Sequence, residues 1–164
     1  MLTEYSIELS EENLPIMVKE RTHDFSAGSL TEPADMEKIF KQCFRLDRKA
    51  EEIVAMVSLN AKLQPICLFE VSHGIIDASL LSPREVFQRA LLSGAHSIVL
   101  AHNHPSGNCA PSENDKLIAE KLLQAAALFQ LQLVDFLIIA KNDYYSFRES
   151  EVGFSADSGK KRIL

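Results

Sequence analysis

The chain lacks several features that mark particular classes of protein. Its three cysteines (Cys43, Cys67 and Cys109) are odd in number and scattered, which argues against a disulfide framework and predicts a reducing, cytoplasmic setting. No apolar stretch approaches the ~20 residues that a membrane helix needs. The first residues also lack the basic-then-apolar layout of a secretory signal. We therefore expect a cytoplasmic protein with no membrane partner.

The chain also lacks a bulk excess of basic residues. Residues 1–35 carry eight acidic residues against Lys19 and Arg21, and the remainder carries fifteen charges of each sign. A DNA-binding domain usually presents a basic face, and here the basic residues cluster only at 160–162, near the chain end. We expect weak or no direct nucleic-acid binding.

The length of 164 residues and the hydrophobic fraction of 46% suit one hydrophobic core of ordinary size. The chain is too short for two domains of typical size. We divide the chain into an acidic N-terminal arm at 1–33, a folded domain at 34–154 and a flexible basic tail at 155–164. The alternation of Tyr5, Ile7 and Leu9 could form an edge strand; otherwise the arm is partly ordered.

The folded domain alternates between helix-like and strand-like segments. We predict helices at about residues 31–46, 82–93 and 112–129, and strands at about 53–59, 65–71, 75–80, 97–101, 132–140 and 144–147. The run at 53–59 is apolar almost throughout, as in a strand covered on both faces. The third helix is predicted to bury Leu117, Ile118, Lys121, Leu122, Ala125 and Leu128.

A possible metal site follows the strand at 97–101. His102 and His104 are separated by one residue, so both imidazoles can lie on the same side of the strand end. Pro105 and Gly107 turn the chain, and Ser112 begins a helix that carries Asp115 about one turn in. Two histidines and one carboxylate, with a water as fourth ligand, suit a hydrolytic zinc ion.

Other interpretations of these residues remain open. The histidines could be loop residues bonded to the backbone, and Asp115 could belong to a capping box that satisfies backbone N–H groups. Cys109 lies in the intervening loop, and a thiolate there would complete four protein ligands and make the site structural.

The whole string H-N-H-P-S-G-x-x-x-P-S-x-x-D, from His102 to Asp115, closely resembles the JAMM (MPN+) metalloprotease motif, and in particular its RadC branch. Similarity extends to residues 82–87, to Asp135 and to residues 145–149, and covers about 36–150. The resemblance implies a three-layer α/β/α fold with a mixed sheet, of the JAB/MPN, cytidine-deaminase-like kind, with the metal site at one edge. It also implies a zinc metalloprotease that hydrolyses an amide or isopeptide bond in a protein or peptide substrate.

A zinc hydrolase needs a general base, and the resemblance places it just before the first core strand. The family pattern is a glutamate followed by seven residues, the last of them Leu, and then Asp or Asn. It matches Glu52 through Leu59 and Asn60. Glu51 is one residue out of that register and would point the other way. Glu70 is the reserve candidate, and Glu85 is expected to face solvent. The resemblance further implies that Ser112, besides acting as helix N-cap, contacts the reacting water or the oxyanion.

The chain departs from the family pattern at two positions, since Phe136 and Ser82 stand where histidines are expected. Full-length RadC proteins usually carry a helix-hairpin-helix region, and this chain has the acidic stretch instead. A second hypothesis is therefore a zinc-containing DNA-repair accessory or scaffold protein without significant peptidase activity. A deaminase would need H/C-x-E and P-C-x-x-C motifs, and the sequence has neither. A homodimer is possible.

Overall fold

The computed structural model describes residues 1–26, 28–74 and 81–150. The strand predicted at 75–80 and the tail predicted at 155–164 lie outside these residues. Within them, no helix is both long and apolar enough to cross a membrane.

Among the described residues, seven strands form one mixed sheet in the order β2-β1-β4-β3-β5-β6-β7. The pairs β1–β4 and β5–β6 are parallel, and the other neighbours are antiparallel. The strands are β1 (Leu2–Leu9), β2 (Pro15–His23), β3 (Ile53–Leu59), β4 (Pro65–His73), β5 (Ser97–Asn103), β6 (Gln132–Ile139) and β7 (Tyr144–Ser146).

In the described part of the chain, four α-helices accompany the sheet: α1 (Pro33–Ile39), α2 (Pro83–Leu92), α3 (Glu113–Leu128) and the short α4 (Phe147–Ser150). The first continues through a π-helical segment (Phe40–Phe44) to a 3₁₀ turn (Leu46–Arg48). The large apolar residues of this region are buried: Met36, Ile39, Phe40, Cys43, Phe44 and Leu46.

The core consists of two clusters, one on each face of the sheet. The α2–α3 cluster packs Val54, Met56, Ile98 and Leu100 of the central strands against residues of both helices, such as Phe87 and Leu122. The α1 cluster packs the alternate strand residues, such as Val57 and Val99, against Met36 and Phe40. All seven residues of β3 are buried, as expected for a strand covered on both faces. The predicted three-layer α/β/α fold with a mixed sheet is thus confirmed.

The N-terminal residues belong to the sheet. Of the two alternatives for residues 1–33, the strand is the one present, and it pairs with β2, which the sequence pattern did not indicate. The hairpin is fastened by the buried Glu4, which accepts hydrogen bonds from Arg21 Nε (2.8 Å) and lies 2.8 Å from His23 Nε2. Residues 2–23 therefore form a hairpin at one edge of the sheet.

The buried face of α3 differs from the prediction by about one position. The helix buries Asp115, Ile118, Ala119, Leu122 and Ala126, whereas Leu117 and Leu128 are exposed. The Asp115 carboxylate faces β5, and residues three, four, seven and eleven positions later must then share its side of the helix. The prediction is confirmed for Ile118 and Leu122 and wrong for Leu117, Lys121 and Leu128, which are exposed, because the buried face is centred on the side of the helix that carries Asp115.

Candidate metal centre

The two histidines lie at and just after the carboxyl end of β5, an interior strand between β3 and β6. β5 runs two residues further than predicted, so His102 lies within the strand as the register partner of Val54 on β3 and Ile138 on β6. His104 follows the strand, and its N–H donates to the Ile139 carbonyl (3.0 Å). The imidazoles share one side of the sheet, with their Nε2 atoms 3.0 Å apart.

Asp115 serves the helix and the cluster at once. Its Oδ2 accepts hydrogen bonds from the Ser112 backbone N–H (2.7 Å) and hydroxyl (2.6 Å), and its own N–H donates to Ser112 Oγ (3.2 Å). This is a complete capping box. The other oxygen, Oδ1, lies 3.1 Å from His102 Nε2. The capping interpretation and the ligand interpretation are therefore compatible.

The geometry of the three side chains fits a zinc ion. His102 Nε2 and His104 Nε2 lie 3.0 Å apart. His102 Nε2 lies 3.1 Å from Asp115 Oδ1, and His104 Nε2 lies 3.5 Å from Asp115 Oδ2, so each histidine faces a different oxygen of the carboxylate. A tetrahedral ion with bonds of about 2.0–2.1 Å separates neighbouring ligand atoms by about 3.3 Å. His102, His104 and Asp115 form a group that could hold a metal ion.

The hydrogen bonds of the rings bear on which nitrogen could bind a metal. His104 Nδ1 lies 2.8 Å from the Asn108 carbonyl oxygen, which only accepts, so Nδ1 carries the proton and a neutral ring presents its lone pair at Nε2. His102 Nδ1 is buried and has no hydrogen-bond partner in the described structure. The His102 ring instead packs beside Phe136, with centroids 5.1 Å apart.

The two histidines and Ser112 strongly favour the ionised form of the Asp115 carboxylate. Burial alone raises the pKa of the Asp115 carboxyl, but the hydrogen bonds with His102, His104 and Ser112 outweigh it, so this pKa lies far below its usual range. The pKa of His104 is raised, chiefly by its hydrogen bond with Asp115, with Glu52 contributing a smaller Coulombic effect. Asp115 is thus charged throughout the physiological range, as a metal ligand must be.

Glu52 lies on the histidine side of the sheet. The antiparallel register pairs Val54 with His102, and continuing it by two residues places Glu52 opposite His104, on the same face. Its charge acts on His104 in the electrostatics of the site. Glu52 is half-buried, and its assignment as the general base stays a prediction.

The other glutamates considered as a base have different surroundings. The Glu51 and Glu70 carboxylates flank the exposed His73, at 2.6 Å from Nε2 and 3.0 Å from Nδ1. Glu70 is the register partner of Ala55, whose side chain belongs to the α1 cluster on the opposite face. Glu85 is exposed on α2, near Arg89.

Three further residues from the sequence analysis have structural roles. Cys109 is outside the group of potential ligands; it packs against the α2–α3 cluster, and burial is the main cause of its raised pKa. Ser82 is the N-cap of α2 and accepts from the Arg84 N–H (3.2 Å). The buried Asp135 accepts a hydrogen bond from Ser146 (2.6 Å), so it joins β6 to β7.

The motif around the histidines does not by itself indicate a role for Asn103. The structure buries this residue and bonds its side chain to the segment that leads into β3. Its position between the two histidines was the available signal. Its partners lie about fifty residues earlier in the chain, beyond the reach of any local pattern.

Comparison with known proteins places this site in a family context. A family model described as "RadC-like JAB domain" matches residues 30–152. A UPF0758 protein of Thermotoga maritima is 39% identical over 112 residues, which are 68% of this chain and 50% of that protein. One of Chlorobium luteolum is 42% identical over 108 residues, 66% and 48% of the two chains. The chain spans about half the length of these curated relatives.

Proposed function

Since the chain belongs to the RadC-like JAB domain family, we propose that it is a zinc-dependent metallopeptidase that hydrolyses an amide or isopeptide bond in a protein or peptide. The observation that supports this most is the convergence of His102, His104 and Asp115, whose nearest nitrogen and oxygen atoms lie 3.0–3.5 Å apart, on the side of the sheet to which the strand register assigns Glu52. A structural zinc site normally has four protein ligands, whereas a catalytic one has three and an open position. The described structure offers three.

A zinc ion held by these three residues would lower the pKa of a coordinated water to ~7 and polarise the substrate carbonyl. Glu52, opposite His104 on the same face, is the group we assign to accept the proton from water. It would then return the proton to the nitrogen of the leaving amine, since the scissile C–N bond cannot break well without protonation.

Ser112 is assigned first to orienting Asp115, because its hydroxyl donates to Oδ2. Stabilisation of the oxyanion, which the family resemblance implies, requires this proton to turn away from Asp115. The backbone N–H of Ser112 also donates to Oδ2, so that oxygen keeps a donor when the hydroxyl rotates. Both roles can therefore belong to one residue.

A cleavage screen with a matched pair of variants tests the proposal. Zinc-loaded protein is incubated with a library of peptides and of peptides joined through lysine side chains, alongside Glu52→Gln and Glu51→Gln. Loss of a general base costs about 10²–10⁴-fold in rate, so Glu52→Gln should retain zinc and lose hydrolysis. Glu51→Gln alters the neighbouring residue, which bonds His73 instead, and should cleave like the wild type.

Two results would contradict the proposal at different points. Activity of Glu52→Gln above about a tenth of the wild-type rate, where a lost base predicts far less, would reject Glu52 as the base. Failure of the zinc-loaded wild type to cleave anything in the library would reject the peptidase and favour the zinc-containing accessory or scaffold protein.

A further inference from the structure

Asn103 separates the two histidines in the sequence and points to the opposite face of the sheet. Its register partner on β6 is Ile139, a residue of the α1 cluster. The side chain is 1% exposed, so each hydrogen-bonding group of its amide needs a partner within the protein. A polar residue is costly at this position unless its bonds are made.

The Asn103 amide bonds both peptide groups that flank the Glu52 Cα atom. Its Oδ1 accepts from the Ile53 N–H (2.8 Å), which belongs to the peptide after Glu52. Its Nδ2 donates to the Glu51 carbonyl (3.0 Å), which belongs to the peptide before Glu52, and more weakly to the Lys49 carbonyl (3.4 Å). With both peptide planes held, the φ and ψ angles of Glu52 are fixed.

A third bond holds the same residue from the other side. The Glu52 carbonyl accepts from the Gly74 N–H (2.9 Å) at the end of β4. The backbone around Glu52 is thus bonded to β5 through Asn103 and to β4 through Gly74. Of these, only the Asn103 contact connects the proposed base directly to the residue between the two candidate metal ligands.

We propose that Asn103 is a positioning residue that fixes Glu52 relative to His102 and His104. This inference rests on the proposed function, because it concerns the base of that reaction. An amide is required, since one end must accept a hydrogen bond and the other must donate. Aspartate has the same shape but no donor, and its carboxylate would face the carbonyl oxygens of Glu51 and Lys49.

Kinetics of the full-length, zinc-loaded chain test the inference through Asn103→Ala and Asn103→Asp. A displacement of a catalytic group by about 1 Å costs on the order of 100-fold, so we expect kcat to fall by about that factor in both variants. KM should stay within about threefold, because substrate binding is not altered. Zinc content should not change. If Asn103 only filled space, the isosteric aspartate would restore kcat, and this result would overturn the inference.

A double mutant adds a second criterion. If Asn103 acts through Glu52, the Asn103→Ala/Glu52→Gln protein should be no slower than Glu52→Gln alone. A further drop of tenfold or more (about 1.4 kcal/mol) would show an independent role and contradict the inference. Asn60→Ala is the matched control, because Asn60 Oδ1 likewise accepts from a backbone N–H (Lys62, 2.8 Å) at the far end of β3. It should retain the wild-type kcat.

Hydrogen exchange of the wild-type, metal-free protein separates this inference from the proposed function and needs neither a substrate nor a variant. The amide of Ile53 should exchange as slowly as that of Met56 within β3. Fast exchange of Ile53 beside a protected Met56 would show that the Asn103 bond does not hold, and would overturn the inference even if peptidase activity is found. Slow exchange of Ile53 in a protein that cleaves nothing would reject the proposed function, whereas the hydrogen bonds of Asn103 with the backbone around Glu52 would be supported.

Discussion

Zinc should stabilise the folded chain through His102, His104 and Asp115, and the size of the effect follows from linkage. The nearest nitrogen and oxygen atoms of these side chains lie 3.0–3.5 Å apart, with a different oxygen of Asp115 near each histidine, which is close to the edge of about 3.3 Å in a tetrahedral zinc site. Binding therefore needs little rearrangement of the fold. A ligand that binds only the folded state stabilises it by about 2.7 kcal/mol at one hundred times its Kd.

This free energy converts into a measurable rise in melting temperature. For a chain of this size, 1 kcal/mol corresponds to about 2–4 °C, so excess zinc should raise the Tm of chelator-stripped protein by about 5–11 °C. The rise should shrink on acidification, because zinc needs a neutral imidazole and the pKa of His104 is raised by Asp115. Circular dichroism melts of metal-free protein with and without zinc supply the measurement.

The zinc-dependent change in Tm is measured for each variant against its own metal-free form. The His102→Ala/His104→Ala protein should show no zinc-dependent shift, because it retains one of three ligands. His96→Ala, which removes an exposed histidine outside the group, should shift like the wild type. An equal shift in the double mutant would refute the reasoning, since zinc would then be acting elsewhere, with Cys109 the first residue to examine.

Two further predictions concern residues outside the site. Asp135→Ala leaves three hydrogen-bond donors without their partner. At about 1–3 kcal/mol for each buried donor, the free energy of unfolding should fall by about 3 kcal/mol or more. Urea titration measures this loss beside Asp143→Ala, an exposed control, and losses below about 1 kcal/mol in both variants would contradict the prediction. The pKa of His73 is raised by Glu70 and then by Glu51, so these contacts stabilise the fold at low pH and are lost as pH rises through that pKa. An NMR titration should give a lower His73 pKa in Glu70→Gln, and an unchanged one would exclude the contact.

The sequence was sufficient for the features that depend on local pattern. The apolar run at 53–59 coincides with β3, and the spacing from His102 to Asp115 brings two histidines and a carboxylate together. Both signals lie within a short stretch of chain, where strand alternation and helix periodicity determine which side chains share a face.

The sequence was insufficient where distant contacts decide the structure. The strand β2 has no alternating pattern, because most of its residues are exposed and it is ordered by pairing with β1. The buried face of α3 differs from the predicted one because Asp115 contacts β5. The role of Asn103 depends on partners about fifty residues away in the chain. In each case a polar contact between separate elements decides the arrangement, and hydrophobic periodicity carries no signal of it.

The metal content of the purified protein tests the central claim most directly. Elemental analysis of the wild type should find about one zinc per chain, held by His102, His104 and Asp115. The His102→Ala/His104→Ala protein should contain almost none, because two of three ligands are gone. Undiminished zinc in that double mutant would contradict the account and place the metal elsewhere in the chain.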